Sequence, residues 1–438
     1  MSIELITVLM FVGMLALIFI GVPLAFAVGA VSFATTFYLW GPESLSLAAN
    51  QATGMILNQA LVSVPLFVFM ANVLGGSGIA EDFYETMYKW MGPLRGGLAI
   101  GSIVICTAIA AMSGVSAVGV VTMGTIALPA MLRRDYDRGI ALGSILAGGA
   151  LGQLIPPSLL AIVFSGMANI SIGKMFLAGV LPGLLLATLF CLYVGVRSAV
   201  QRELCPALSL DERRAITWTD KLVSLRGVLP SVLLITGVLG SLFAGIASPT
   251  ESAAVGAAGA LILALLYRRM SWQRLREACY ATAQTTAMIM WLAMASLLFV
   301  AVYVGLGGDA FIKKTLLGTG LNRWLVLATM MGIIFLLGAV MDPVGIIFLT
   351  TPVFLPIIAA LGFDPLWYGG MVIINLETSY LTPPFGYNLF YLKAVAPPEV
   401  AMQDLYRAVP PFVSIQLFGL LLCALFPELI TYLPSTLN

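Results

Sequence analysis

Two short stretches of this chain combine residue types that can hold ions inside an apolar segment. One is Leu154-Ile155-Pro156-Pro157-Ser158, preceded by the glycine-rich run Gly148-Gly149-Ala150-Leu151-Gly152. The other is Leu381-Thr382-Pro383-Pro384-Phe385. Proline lacks a backbone N–H, and its ring clashes with the preceding turn, so a pair of prolines breaks a helix. Hydrocarbon satisfies none of the freed backbone groups; they must face protein, a cavity or an ion. The N-terminal end of a half-helix presents N–H groups and about half a positive charge, which suits an anion. The C-terminal end presents carbonyls, which suit a small hard cation such as sodium. The alternative is a pair of kinks that only shape packing, since proline and glycine are common in membrane helices.

Other polar residues sit at apparent depth. Ser113-Gly114-Val115-Ser116 places two hydroxyls beside a flexible glycine where two apolar arms meet; small residues there also let backbones pack closely. Asp342, in Met341-Asp342-Pro343, is a carboxylate in an apolar run. Such a group is costly and marks function, unless it reaches the interface and caps a helix. Glu251 follows Pro249 and reads as a first-turn cap. Asn375 and Asn388 flank the second proline pair, and Glu377 either faces that break or packs beside Tyr380.

Much chemistry is excluded. The chain has no histidine, which removes Ser-His and Cys-His catalysis, His-ligated metals and haem. The five cysteines are scattered and suggest neither a disulfide framework nor a metal cluster. A Ser-Lys or paired-aspartate intramembrane enzyme would need a buried lysine or a partner for Asp342. The lysines lie in expected loops or at segment ends, and no second aspartate lies in the apolar runs. The reading is therefore not an enzyme.

The elements that must position these residues follow from composition. Of 438 residues, 60% are hydrophobic and 9% charged, against about 25% charged in soluble domains. This predicts an all-α polytopic membrane protein. The first apolar run, 5–20, follows Glu4 rather than a basic segment and reads as a membrane helix, not a cleaved signal. Crossings are expected at 3–20, 23–40, 60–76 and 175–196, with an interfacial segment at 41–59 and an amphipathic interfacial helix at 80–93. A re-entrant hairpin is expected at 96–131, because arms of about 15 residues reach only about 22 Å. The first broken helix spans 139–170, and 197–227 is a polar, cytoplasmic linker. Further crossings fall at 229–247, 250–267, 284–305 and 410–427, with an interfacial segment at 308–322, a second hairpin at 323–360 and a second broken helix at 366–391.

The pattern runs twice. Ala27-Val28-Gly29-Ala30 returns as Ala254-Val255-Gly256-Ala257, Pro129 as Pro356, and Pro156-Pro157 as Pro383-Pro384; 254 − 27, 356 − 129 and 383 − 156 all give 227. Residues 1–196 and 228–438 thus read as two repeats of five crossings, each with a hairpin and a Pro-Pro broken helix. Five is odd, so the repeats should be inverted. Four basic residues (Lys174, Lys313, Lys314, Arg323) then fall outside and the other seventeen of 21 inside. That agrees with the positive-inside rule and puts both termini outside.

These residues resemble the large membrane subunit of TRAP transporters, the tripartite ATP-independent periplasmic family. The resemblance is carried by Gly21-Val22-Pro23, Ser113-Gly114 with Leu128-Pro129-Ala130-Met131, and Gly152-Gln153-Leu154-Ile155-Pro156-Pro157-Ser158. Met341-Asp342-Pro343 and Leu381-Thr382-Pro383-Pro384-Phe385-Gly386 complete it, and it runs essentially end to end. It implies a sodium-driven importer of small organic acids (C4-dicarboxylates, sialic acid, 2-oxo acids, lactate) in the bacterial inner membrane. It also implies an elevator movement of a transport domain against a scaffold, and two partners: a small four-helix membrane subunit, expected as a separate chain, and a soluble periplasmic binding protein. Glu377 departs from the glycine or glutamine often found there.

On this reading one sodium ion would be held by Ser113, Ser116, Gly149 and Gly152, and a second by Gly338, Met341, Thr378 and Ser379. Substrate would lie between them, near Gly114, Val115, Pro157, Ser158, Asp342, Pro343, Thr382, Pro384 and Asn388. No organic cofactor is expected. A stand-alone ion-coupled anion transporter of related fold is the alternative; a passive scaffold has no use for two matched breaks.

Overall fold

A computed structural model of the chain describes residues 2–308, 310–311, 322–383 and 386–437. Pro384, Lys313 and Lys314 lie outside the described residues. All regular secondary structure among the described residues is helical.

Among the described residues, six helices are long and apolar enough to cross a membrane: Ile172–Val200, Trp218–Phe243, Pro249–Leu266, Trp272–Gly305, Pro343–Ala360 and Met402–Leu425, the last with a break before Pro410. The segment Ser46–Ile56 with Leu61–Gly76 makes a seventh if counted as one span bent by 55°. Ile3–Phe19 and Leu24–Trp40 are apolar but have only 17 residues each, about 26 Å of helix.

Helix starts follow side-chain caps. Asp137 accepts from Ile140 N (3.0 Å) and starts Arg138–Ala150. Ser248 and Glu251 form a capping box at Pro249–Leu266, with Glu251 Oε2 accepting from Ser248 N at 2.7 Å. Glu251 is therefore a cap, as its place after Pro249 predicts. Thr217 and Asp220 do the same for Trp218–Phe243. That helix begins inside the polar stretch 197–227, and Ile172–Val200 runs into its other end. Trp272–Gly305 starts 12 residues before the expected crossing at 284, because Ser271 caps it and no glycine or proline interrupts 272–304.

Single prolines do not break these helices. Pro65, Pro129, Pro182, Pro230, Pro352 and Pro356 all lie within continuous ones. The paired prolines coincide with breaks. Arg138–Ala150 passes through one 3-10 turn, Leu151–Gln153, and resumes as Leu159–Ala168; the Pro156–Pro157 peptide is cis. Pro365–Ser379 stops and resumes as Tyr387–Val395. Each break follows a hairpin: Gly97–Ser113 with Ser116–Leu132, and Arg323–Gly338 with Pro343–Ala360. The first hairpin's arms have 17 residues each, two more than expected and still short of a roughly 30 Å core.

The helices pack as two groups. In one, Gln59–Gly76 lies on Pro249–Leu266, and Trp272–Gly305 on Leu24–Trp40, with Trp218–Phe243 alongside. The other contains both hairpins, both broken helices, Ile172–Val200 and Pro410–Leu425. Within it, each hairpin's second arm packs on the later half of the broken helix from the other half of the chain: Ser116–Leu132 on Tyr387–Val395, and Pro343–Ala360 on Leu159–Ala168. Between apolar helices in lipid, such packing depends on close backbone approach rather than on expelled water. Gly179 and Gly183 supply it for the first break, where added Cβ atoms would overlap Leu154 O and the Ile155 side chain. The groups meet where Trp272–Gly305 lies on Pro343–Ala360 and Gln59–Gly76 on Gly97–Ser113 and Leu159–Ala168, and the amphipathic helix Ile79–Met91 packs on both Gly97–Ser113 and Trp218–Phe243. Its Asp82 holds the Arg269 guanidinium through two bonds, 2.8 and 3.0 Å.

Candidate functional site

The first hairpin tip lies directly on the first break. Gly114 adopts φ +61°, and a Cβ there would overlap the Pro157 carbonyl oxygen. Only glycine takes both this conformation and this approach without strain. On the other side of the tip, a Cβ on Gly152 would sit 3.1 Å from Ser116 N and 3.2 Å from Val115 C. A Cβ on Gly149 would overlap the Val120 side chain.

Hydroxyl groups satisfy much of the interrupted backbone. Ser158 donates to Gln153 O and accepts from Ala161 N at 3.1 Å, bridging the gap and capping Leu159–Ala168. Ser113 donates to Ile109 O at 2.9 Å and accepts from Val115 N at 3.4 Å. Ser116, 1% exposed, donates to Asn388 Oδ1 at 2.6 Å. Asn388 in turn donates from Nδ2 to Leu146 O at 3.2 Å, and its backbone N–H donates to Tyr380 O at 3.1 Å. Ser113, Gly114, Val115, Ser116, Gly149, Gly152, Pro157, Ser158 and Asn388 are thereby brought into one region.

The second tip meets the second break through Gly338, where a Cβ would overlap the Ser379 side chain. Ser379 and Thr378 hydroxyls donate back to Leu376 O and Asn375 O, and Thr382 to Thr378 O at 2.7 Å. Met341 is buried. Asp342 caps Pro343–Ala360, accepting from Val344 N at 2.9 Å and Gly345 N at 3.4 Å, with Pro343 in the first helical position. Asp342 is thus a helix cap, and its carboxylate is also within electrostatic reach of the Tyr380, Tyr387 and Tyr391 phenols.

Tyr387 and Tyr391 were not expected from sequence, although their spacing of four puts them on one helix face. The Leu146 carbonyl has no sequence signature at all. Asn375 is a structural tie, donating to Met331 O at 2.8 Å. Glu377 is fully buried, and neither carboxylate oxygen has a hydrogen-bond partner, so it is not bonded to Tyr380.

Interrupted helices whose ends meet hairpin tips, inside a set of bilayer-length apolar helices, define a membrane transporter. Two solved transporters share the fold. The Alcanivorax borkumensis YdaH transporter superimposes with a TM-score of 0.62 at 14% identity, covering 92% of this chain and 96% of its own. The Neisseria gonorrhoeae efflux protein MtrF gives 0.61 at 13%, covering 91% and 86%.

The chain belongs to the family described as tripartite ATP-independent periplasmic transporter, DctM component, whose profile matches residues 11–429. It is 32% identical to the C4-dicarboxylate TRAP transporter large permease protein DctM of Pseudomonas aeruginosa, over 93% of this chain and 94% of that one. It is 29% identical to the Vibrio cholerae protein of the same description, over 98% and 97%. The sialic acid TRAP transporter large permease protein SiaM of Vibrio cholerae is 28% identical over 97% of both. This chain is a TRAP transporter large permease, a multi-pass membrane protein of a class that works with a small membrane subunit and a periplasmic binding protein.

Proposed function

We propose that this permease carries a small organic acid anion inward, coupled to sodium, after a periplasmic binding protein delivers it. The observation that carries the reading is the meeting of each hairpin tip with a broken helix. Ser113 and Ser116 at the first tip with Gly149 and Gly152 at the first break, and the set Gly338, Met341, Thr378 and Ser379 at the second tip and break, offer hydroxyl and carbonyl oxygens without a charged ligand. Neutral oxygens fit a hard monovalent cation. Bound sodium would supply positive charge beside the substrate region. Anion recognition would fall to the helix N-termini after Ser158 and Gly386, with Gly114, Val115, Pro157, Pro343, Thr382, Pro384 and Asn388 around them.

The exchanged packing of second arms and broken helices, with the offset of 227 between proline pairs, supports two repeats, 1–196 and 228–438, inverted in the membrane. The two helix groups support an elevator movement, the hairpin-containing group sliding against the other. Both termini would be periplasmic and the 197–227 linker cytoplasmic. The relatives' names point to C4-dicarboxylate, sialic acid and ectoine as substrates of those proteins; for this chain they select the first compounds to try.

The test is uptake into proteoliposomes holding this permease and its small subunit, supplied with the cognate binding protein. Labelled C4-dicarboxylate, sialic acid and lactate are the probes. Uptake should require both the binding protein and an inward sodium gradient. Uptake indifferent to the gradient overturns sodium coupling; uptake without the binding protein supports the stand-alone reading.

A further inference from the structure

Arg138, Arg197 and Arg407, from three different helices, line one cleft of about 330 Å³. The chain segments that carry them meet at Phe412, which is buried. Its ring lies 5.3 Å from that of Tyr193, edge to face, and a Cβ on Gly143 would overlap it. Arg197 follows Tyr193 by four residues, while Arg138 and Arg407 precede Gly143 and Phe412 by five. Each arginine is therefore about one helical turn beyond the Phe412 contact. That is where Ile172–Val200 stops and where Arg138–Ala150 and Pro410–Leu425 start. All three arginines are exposed there.

Three arginines against two aspartates leave the cleft a net charge of 3 − 2 = +1. Both aspartates are committed. Asp137 accepts from Ile140 N at 3.0 Å, and Asp404 accepts from Ala401 N at 2.9 Å and from Arg138 at 3.3 Å. Arg138 uses only Nη1, for Asp404 and for Glu399 O, which leaves the rest of its fork open. Arg134 and Arg269 are matched to Glu212 and Asp82, but no ion pair among the described residues includes Arg197 or Arg407. Further along, Ile172–Val200 exposes Leu184 and Leu192, and Pro410–Leu425 exposes Phe418 and Leu421. Both belong to spans of bilayer length, so those side chains meet acyl chains while the cleft stands at the span ends, the level of lipid phosphates. Tyr193 beside it matches the aromatic belt of a membrane interface.

We propose that this cleft binds the headgroup of an anionic phospholipid, its phosphodiester held by Arg197 and Arg407 with Arg138 at the edge. An arginine fork meets phosphate oxygens through two parallel N–H bonds, and basic pockets between membrane helices suit anionic headgroups. The volume is at the lower end of ligand sites, which run from about 300 to 1,000 Å³. A choline headgroup brings a cation for which the cleft has no uncommitted carboxylate. A free phosphate anion shares the arginine chemistry but has no use for the apolar surface alongside. The site rests on the membrane-spanning character of these helices, and not on sodium coupling or on which face is cytoplasmic.

Native mass spectrometry of the purified permease, titrated with phosphatidylglycerol or phosphatidylcholine, tests this. The wild type should retain single phosphatidylglycerol molecules in preference to phosphatidylcholine. Arg197→Gln or Arg407→Gln alone should weaken phosphatidylglycerol about 5-fold, and the pair about 30-fold, the factors that one and two basic residues supply beside anionic lipid. Arg226→Gln with Arg276→Gln removes the same charge from exposed residues outside the cleft and should leave binding unchanged. Without added lipid, both pairs should melt like the wild type, so that lost binding is not lost folding. Equal losses in the two pairs mean that overall charge alone attracts lipid, and overturn the site, as does equal retention of the two lipids by the wild type. Displacement of phosphatidylglycerol by millimolar inorganic phosphate overturns the lipid assignment in favour of a free anion. No readout involves uptake, so the outcome is independent of sodium-coupled transport.

Discussion

Ser116 and Asn388 are separated by 272 residues and joined by a 2.6 Å hydrogen bond. The Asn388 amide goes on to Leu146 O, so one side chain ties the first hairpin and the first broken helix to the second. Truncating either partner leaves a buried polar group unsatisfied, at a cost of about 1–3 kcal/mol. Ser116→Ala and Asn388→Ala should each lower stability by that amount in detergent unfolding. The double variant should recover about 0.5–1.5 kcal/mol of the summed loss. Additivity within about 0.3 kcal/mol would mean that the bond contributes nothing.

The contact of Gly114 with Pro157 predicts a sharp contrast between glycines. Gly114→Ala places a Cβ in a left-handed residue, about 1–2 kcal/mol of strain before any clash. It also pushes the tip off the break, so uptake should collapse while the protein still inserts. Gly195, inside Ile172–Val200 with no neighbour within 4 Å, should accept alanine with a gain of about 0.5–1 kcal/mol. Equal tolerance at the two positions contradicts the close approach.

Asp342 has a capping role and a charge, and two variants separate them. Asparagine also caps, so Asp342→Asn should melt like the wild type. Asp342→Ala should lose about 0.5–2 kcal/mol. If the charge facing Tyr380, Tyr387 and Tyr391 serves transport, uptake falls in both variants; if Asp342 is only a cap, the asparagine variant transports normally.

Glu212 straps the short linker helix Leu210–Ala215 to Arg134 at the base of the first hairpin. Hydrogen bonds from the Ser209 backbone and hydroxyl, and then Arg134, hold its carboxyl below the usual range. A depressed folded pKa means the strap is fully present above the ordinary carboxylate value and is lost as pH falls through the lower one. A nitroxide at position 211 should stay immobilised through the ordinary carboxylate range and loosen only as pH falls below it, and Glu212→Gln should loosen it at every pH. Unchanged mobility in that variant shows the strap is held by other contacts.

Composition and local pattern determined much of this protein. Sixty per cent hydrophobic residues specify membrane helices. Paired prolines specify where two helices stop, because the missing N–H groups and ring clashes are properties of the chain itself. Ser248 followed by Glu251 specifies a cap for the same local reason. The structure decided what local chemistry leaves open. Lone prolines at 65, 182 and 230 look as disruptive in sequence as the pairs, yet their helices continue, because neighbouring helices can re-satisfy the groups one proline displaces. The bond from Ser116 to Asn388 and the packing of each hairpin on the broken helix of the other half of the chain depend on contacts between distant residues, which no local signal encodes. Glu377 is the sharpest case. Its position suggested either the break or a packed face, and only the tertiary packing showed a buried carboxylate whose oxygens have no hydrogen-bond partner.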